Sequence, residues 1–73
     1  MDRVQVIEYS GYEIRVFAWL PLGEQFFRAT FEIRYANGEL AKELTGAVRG
    51  AFTDINAAHE MAITNAKQWI DER

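Results

Sequence analysis

The last third of the chain, Thr53 to Asp71, constrains the fold most, because its apolar residues recur at the helical period. At about 100° per residue, Ile55, Ala58, His59, Ala62, Ile63, Ala66, Trp69 and Ile70 gather on one side. Asn56, Glu60, Thr64, Lys67, Gln68 and Asp71 take the other. Thr53 is placed to cap the first turn with its hydroxyl, Asp54 adds a favourable negative charge there, and Arg73 suits the far end. The expected helix runs from about 53 to 72. Ala58, Ala62 and Ala66 form a ridge almost without side chain, so a flat surface can approach closely. Such a helix draws most of its stability from packing, and the preceding residues must supply the partner surface.

They read as strands. Val4 to Tyr9 is rich in β-branched residues, and Ser10-Gly11 offers a tight turn. Tyr12, Ile14, Val16, Ala18 and Leu20 then alternate with Glu13, Arg15, Phe17 and Trp19. Pro21 to Glu24 breaks the pattern as a loop, after which Phe27, Ala29, Phe31, Ile33 and Tyr35 alternate with Phe26, Arg28, Thr30, Glu32 and Arg34 from Gln25 onward. Asn37-Gly38 is the strongest hairpin signal, since both residues tolerate positive φ. Leu40 to about Val48 follows as a fourth strand, with Gly46 and Gly50 marking a bend or bulge.

Register arithmetic joins these strands into one sheet. A two-residue Asn37-Gly38 loop pairs Tyr35 with Leu40 and Phe31 with Leu44, and Lys42 falls at an edge. Across the Pro21 loop, setting Arg15 opposite Glu32 and Glu13 opposite Arg34 aligns opposite charges, worth about 0.2–1 kcal/mol each. The same register sets Ile14 against Ile33 and Val16 against Phe31. The expected fold is α+β: a single domain over 1–73, with a four-stranded antiparallel meander over about 3–48 and one C-terminal helix on one face, in the order ββββα. That helix should cover Ile14, Val16, Phe31, Ile33 and Leu44.

The opposite face carries the functional expectation. A two-residue Ser10-Gly11 loop sets Val6 against Arg15 and Val4 against Phe17. Val4, Val6, Phe17, Trp19 and Phe26 then share a surface edged by Arg15, Arg28 and Arg34. So much apolar area on an open sheet calls for a covering partner. A 73-residue chain without cysteine has no disulfide staple, and self-association would supply the missing burial. The first reading is a non-enzymatic protein-interaction module, homodimeric through this face, with an unknown protein partner. The alternative is a single-stranded nucleic-acid module that stacks bases on Phe17, Trp19 and Phe26 and holds phosphates with Arg15, Arg28 and Arg34. The formal charge of −3 weighs against it and suits a third reading, a small acidic inhibitor or antitoxin-like protein that binds a basic partner.

Catalytic and metal signals are sparse. His59 is the only histidine and lies on the helix's apolar side, where a packed or edge role is expected. The carboxylates are scattered, Ser10 sits in a turn without a nearby base, and no phosphate-binding glycine loop is present. Neither metal nor cofactor is expected. No apolar run approaches the ~20 residues that cross a bilayer. Met1-Asp2-Arg3 leads straight into a strand pattern, so a cytoplasmic protein without membrane partners is expected.

The string Tyr9-Ser10-Gly11-Tyr12-Glu13-Ile14, with the ending Ala66 to Asp71 through Trp69-Ile70, resembles small uncharacterised single-domain proteins of proteobacteria. Their shared Y-x-G-Y-x-I opening and A-x-x-W-I-D close are structural motifs and imply a bacterial protein but no activity. A looser resemblance is to the N-terminal domain of the HicB antitoxins, carried by the tyrosine-led strand, the threonine before an alanine-rich helix and the sheet-plus-helix plan. The hairpin around Asn37-Gly38 departs from that layout, and no functional residue carries over.

Overall fold

The computed structural model describes residues 2–35 and 40–72. It holds four antiparallel strands in one open sheet: β1 (Asp2–Tyr9), β2 (Tyr12–Trp19), β3 (Arg28–Tyr35) and β4 (Leu40–Ala47), in spatial order β1-β2-β3-β4. A single helix, α1 (Ile55–Asp71), follows. The Asn37-Gly38 turn and Arg73 lie outside the described residues, as do the side chains of Leu40, Lys42 and Leu44.

Hydrophobic alternation sets the faces. Ile14, Val16, Ala18, Ala29 and Ile33 point to one side and are buried beneath Ala58, Ala62, Ala66 and Ile70 of α1. Phe31, Ile55, Ile63 and Trp69 pack around that core while remaining partly exposed. The alanine ridge lets the helix settle close to β2 and β3, where branched side chains fill the space between the layers.

Two turns follow from their residues. Ser10 (φ 50°) and Gly11 (φ 81°) are both left-handed, as a two-residue type I′ hairpin requires, and they close the pair Tyr9↔Tyr12. In the loop after β2, Glu24 N–H donates to the Pro21 carbonyl at 3.1 Å, with Gly23 at φ 81° in the position that needs it.

The β1–β2 and β2–β3 registers match expectation, including Val4↔Phe17, Val6↔Arg15, Ile14↔Ile33 and Arg15↔Glu32. The β3–β4 register does not. Phe31 opposes Gly46 and Arg34 opposes Leu40, in place of Phe31 with Leu44 and Tyr35 with Leu40. Between the pairs Glu32↔Thr45 and Arg34↔Leu40, β3 advances two residues and β4 five (34 − 32 against 45 − 40), so the ladder shifts. Phe31 explains the choice of partner: a Cβ at Gly46 would collide with its ring, so the one strand glycine sits where the aromatic lies across the sheet.

Three further corrections are local. β3 begins at Arg28, because Phe27 instead bridges to Phe52, donating its N–H to that carbonyl at 2.7 Å; Phe26 therefore precedes the strand. The helix starts at Ile55 with Asp54, not Thr53, as its cap, the Asp54 carboxylate accepting from Asn56 N–H at 3.1 Å. Arg15 pairs with Glu13 at 3.0 Å and Arg34 with Glu32 at 2.7 Å, along the strands, although each also faces the opposite charge across the ladder.

Polar side chains fasten β1 to the helix. Arg3 donates to Asn56, His59 Nε2 bonds Gln5 Oε1 at 2.5 Å, and the Tyr9 hydroxyl donates to Asp71 at 2.8 Å. Lys67 lies over the Tyr9 ring, 5.1 Å from its centre. Residues 3 to 9 of a strand span about 20 Å and residues 56 to 71 of a helix about 22 Å. The helix therefore runs alongside β1 in the same direction, with its apolar face on β2 and β3.

Candidate interaction surface

The face turned away from α1 is laid out by register in rows that cross the sheet. One row reads Val4, Phe17, Thr30, Ala47; the next reads Val6, Arg15, Glu32, Thr45. Trp19 and Arg28 form a pair at one end, and Glu8, Glu13 and Arg34 a row at the other. Strand parity puts all these side chains on one surface, because alternate residues share a face and the helix has taken the other set.

Val4 is 61% exposed and Val6 51%, whereas Phe17 and Trp19 are partly buried against their neighbours. Among the described residues, no element lies over them. Phe17, Thr30, Glu32, Thr45 and Ala47 surround a shallow hollow of about 340 Å³, floored by the backbone at Gly46. The hollow exists because small residues of β3 and β4 stand beside Phe17. Thr30 could have been found from its place opposite Phe17. Thr45 could too, since the counted register sets it opposite Thr30; the observed register puts Ala47 there and moves Thr45 opposite Glu32.

Six of the seven expected surface residues, Val4, Val6, Arg15, Phe17, Trp19 and Arg28, lie on this face. Phe26 is exposed but stands before β3, outside the strand rows. The arginines are engaged. Arg28 donates twice to the Glu24 carboxylate, at 3.1 and 2.8 Å, and Arg15 donates to Glu13. The Arg28 hydrogen bond, with its charge, holds Glu24 below the usual carboxylate range and raises Arg28 in return. The surface is thus an apolar row flanked by ion pairs, with the exposed Glu8 at its β1 corner.

His59 lies on the other side of the molecule, in the seam between β1 and α1. It is 1% exposed and converges with Gln5, an amide, and not with a carboxylate or a second imidazole. Among the described residues, no helix is long and apolar enough to cross a membrane.

The fold and this face define a small α+β protein with one covered and one open sheet surface. Comparison with protein-family models, curated proteins and solved structures gave no match. The functional reading therefore rests on the geometry of the surface.

Proposed function

We propose that the protein is a non-enzymatic interaction module that pairs with a second copy of itself through the outer sheet face. One observation carries the reading: Val4 and Val6 stand exposed beside Phe17 on a face that no described element covers. The bordering charges support a two-fold contact, because Glu13–Arg15 and Glu32–Arg34 give a copy of the face both signs to meet.

Size sets the strength of the contact. Four strands of eight residues present on the order of 500 Å² per copy, below the roughly 800 Å² of a standard interface. A dimer built this way is weak and concentration-dependent.

The nucleic-acid alternative has less support: the net charge is −3, and Arg15 and Arg28 each stand beside a carboxylate that repels phosphate.

Sedimentation from micromolar to hundreds of micromolar tests the reading. The expected result is a rise in mass with concentration that Trp19→Glu abolishes, because the contact would bury an unpaired charge. A chain that stays at 8.4 kDa throughout overturns it.

A further inference from the structure

Among the described residues, the β1 edge of the sheet is open and regular. Val48 N–H donates to the Ala29 carbonyl at 2.9 Å, and Phe27 bonds Phe52, so odd-numbered residues of β3 bond towards β4 and even-numbered ones towards β2. Carried across the ladder, that parity assigns Arg3, Gln5, Ile7 and Tyr9 to β2. The backbone N–H and C=O groups of Val4, Val6 and Glu8 are left pointing away from the sheet.

Among the described residues this edge is blocked by no bulge, proline or lysine; its charges are Asp2 and Glu8 and, on the helix side, Arg3, which is bonded to Asn56. β1 pairs with β2 at every residue from Asp2 to Tyr9. Its inward side chains Arg3, Gln5 and Tyr9 are tied to α1, which holds the strand extended before anything binds. The β4 edge, by contrast, carries the register shift.

We infer that the β1 edge binds an extended segment of a partner protein as a fifth, antiparallel strand. The segment reads Lys or Arg, any residue, apolar, any residue, apolar, so that the cation meets Glu8 and the apolar side chains meet Val6 and Val4. This rests on reading the chain as a protein-interaction module, and it names a partner class for a different part of the surface.

Charge selects this occupant over a second copy. Aligning Val4 with Val6 of another copy sets Asp2 opposite Glu8, and like charges opposite one another destabilise a pair. Aligning Val6 with Val6 sets Val4 opposite Glu8, and aligning Val4 with Val4 sets Val6 opposite Asp2. Every two-fold register therefore opposes two carboxylates or spends a valine on one. A cation at the Glu8 position removes the conflict. Glu8 is exposed and faces Glu13 across the ladder, and the net charge of −3 attracts the same partner.

The probe is the capped peptide Thr-Lys-Thr-Val-Thr-Val-Thr, followed by amide hydrogen exchange in NMR. Binding should slow exchange at Val4, Val6 and Glu8 and leave the already bonded Gln5 and Ile7 unchanged. Glu8→Lys should weaken binding roughly threefold or more, and that variant should prefer the peptide with Glu in place of Lys. Glu60→Lys, which makes the same charge change on the exposed face of α1, should leave affinity unaltered. No protection of the three amides at millimolar peptide, or equal effects of the two charge reversals, would overturn the inference. Concentration-dependent protection of those amides without peptide would overturn it too, since a second copy would then occupy the edge. A monomer that still binds the peptide defeats the face-to-face dimer and leaves the edge reading intact.

Discussion

His59 Nε2 donates to Gln5 Oε1 at 2.5 Å, joining α1 to the edge strand β1; the imidazole is buried and Gln5 is exposed. An amide oxygen only accepts, so Nε2 carries the proton and Nδ1 is left a bare acceptor with no partner among the described residues. Protonation would add a buried N–H without an acceptor. Burial is the larger cause that pushes the imidazole below its ordinary pKa; the nearby Arg3 charge adds to it, and Glu60 opposes both.

That relationship fixes a pH dependence. The folded state favours neutral His59, so its contribution is fully present above the unfolded value of 6.5 and is lost as pH falls through the depressed folded value. Urea unfolding should show stability declining below about pH 6.5, with a slope of at most ~1.4 kcal/mol per pH unit from one proton. His59→Leu should flatten the curve between pH 7.5 and 5.5. An unchanged slope in that variant would remove His59 as its source.

Gly46 tolerates no side chain while Phe31 lies over it. Gly46→Ala should destabilise by about 1–3 kcal/mol through overpacking. Adding Phe31→Leu should recover part of the loss, and a double-mutant cycle measures the coupling. Purely additive effects would mean that the ring moves aside without cost.

Ser10 occupies a left-handed conformation that serine adopts unwillingly. Ser10→Asn suits both its φ and the type I′ turn, and should raise stability by a few tenths to about 1 kcal/mol. Thermal unfolding reads this directly, provided the variant and parent are compared at equal protein concentration.

Trp69 meets Tyr12 edge-on, with ring centres 6.5 Å apart, and Tyr12 in turn lies 5.7 Å from Tyr35. Trp69 is only partly buried, so Trp69→Ala should cost about 2–3 kcal/mol, less than the ~3–5 of a fully buried ring. Wild-type stability in the variant would show that Trp69 does not help close the core.

Mixed single-stranded DNA and RNA at low salt should give a flat titration, because the net charge is −3 and Arg15 and Arg28 each stand beside a carboxylate. Binding that weakens steeply with salt and is lost in Arg28→Glu and Phe17→Ala would restore the base-stacking reading.

The faces of the sheet and helix were legible because they follow from period alone. Alternation over Tyr12 to Trp19 and the spacing of Ala58, Ala62 and Ala66 assign each residue a side before any partner is known. The Ser10-Gly11 hairpin was legible for a related reason: a two-residue loop leaves one antiparallel register, so Val4↔Phe17 follows by counting. The β3–β4 register could not be counted, because β4 gains residues within its own length. Asp54 prevailed over Thr53 as cap although both are competent residues: Asp54 is extended, at φ −133° and ψ 131°, and its carboxylate reaches Asn56 N–H.

The sequence by itself determined which residues could be buried together: periodicity is a local property, and burial of the apolar set follows from it. Only the tertiary structure decided how the polar residues were used. Gln5 and His59 lie 54 positions apart, and Tyr9 and Asp71 62, so no local pattern links them. Their pairing depends on the helix running alongside β1, a consequence of where the apolar layers come to rest. The same placement puts the helix on the inner face, over β2 and β3 with its flank on β1, so that among the described residues nothing covers the outer face or the β1 edge.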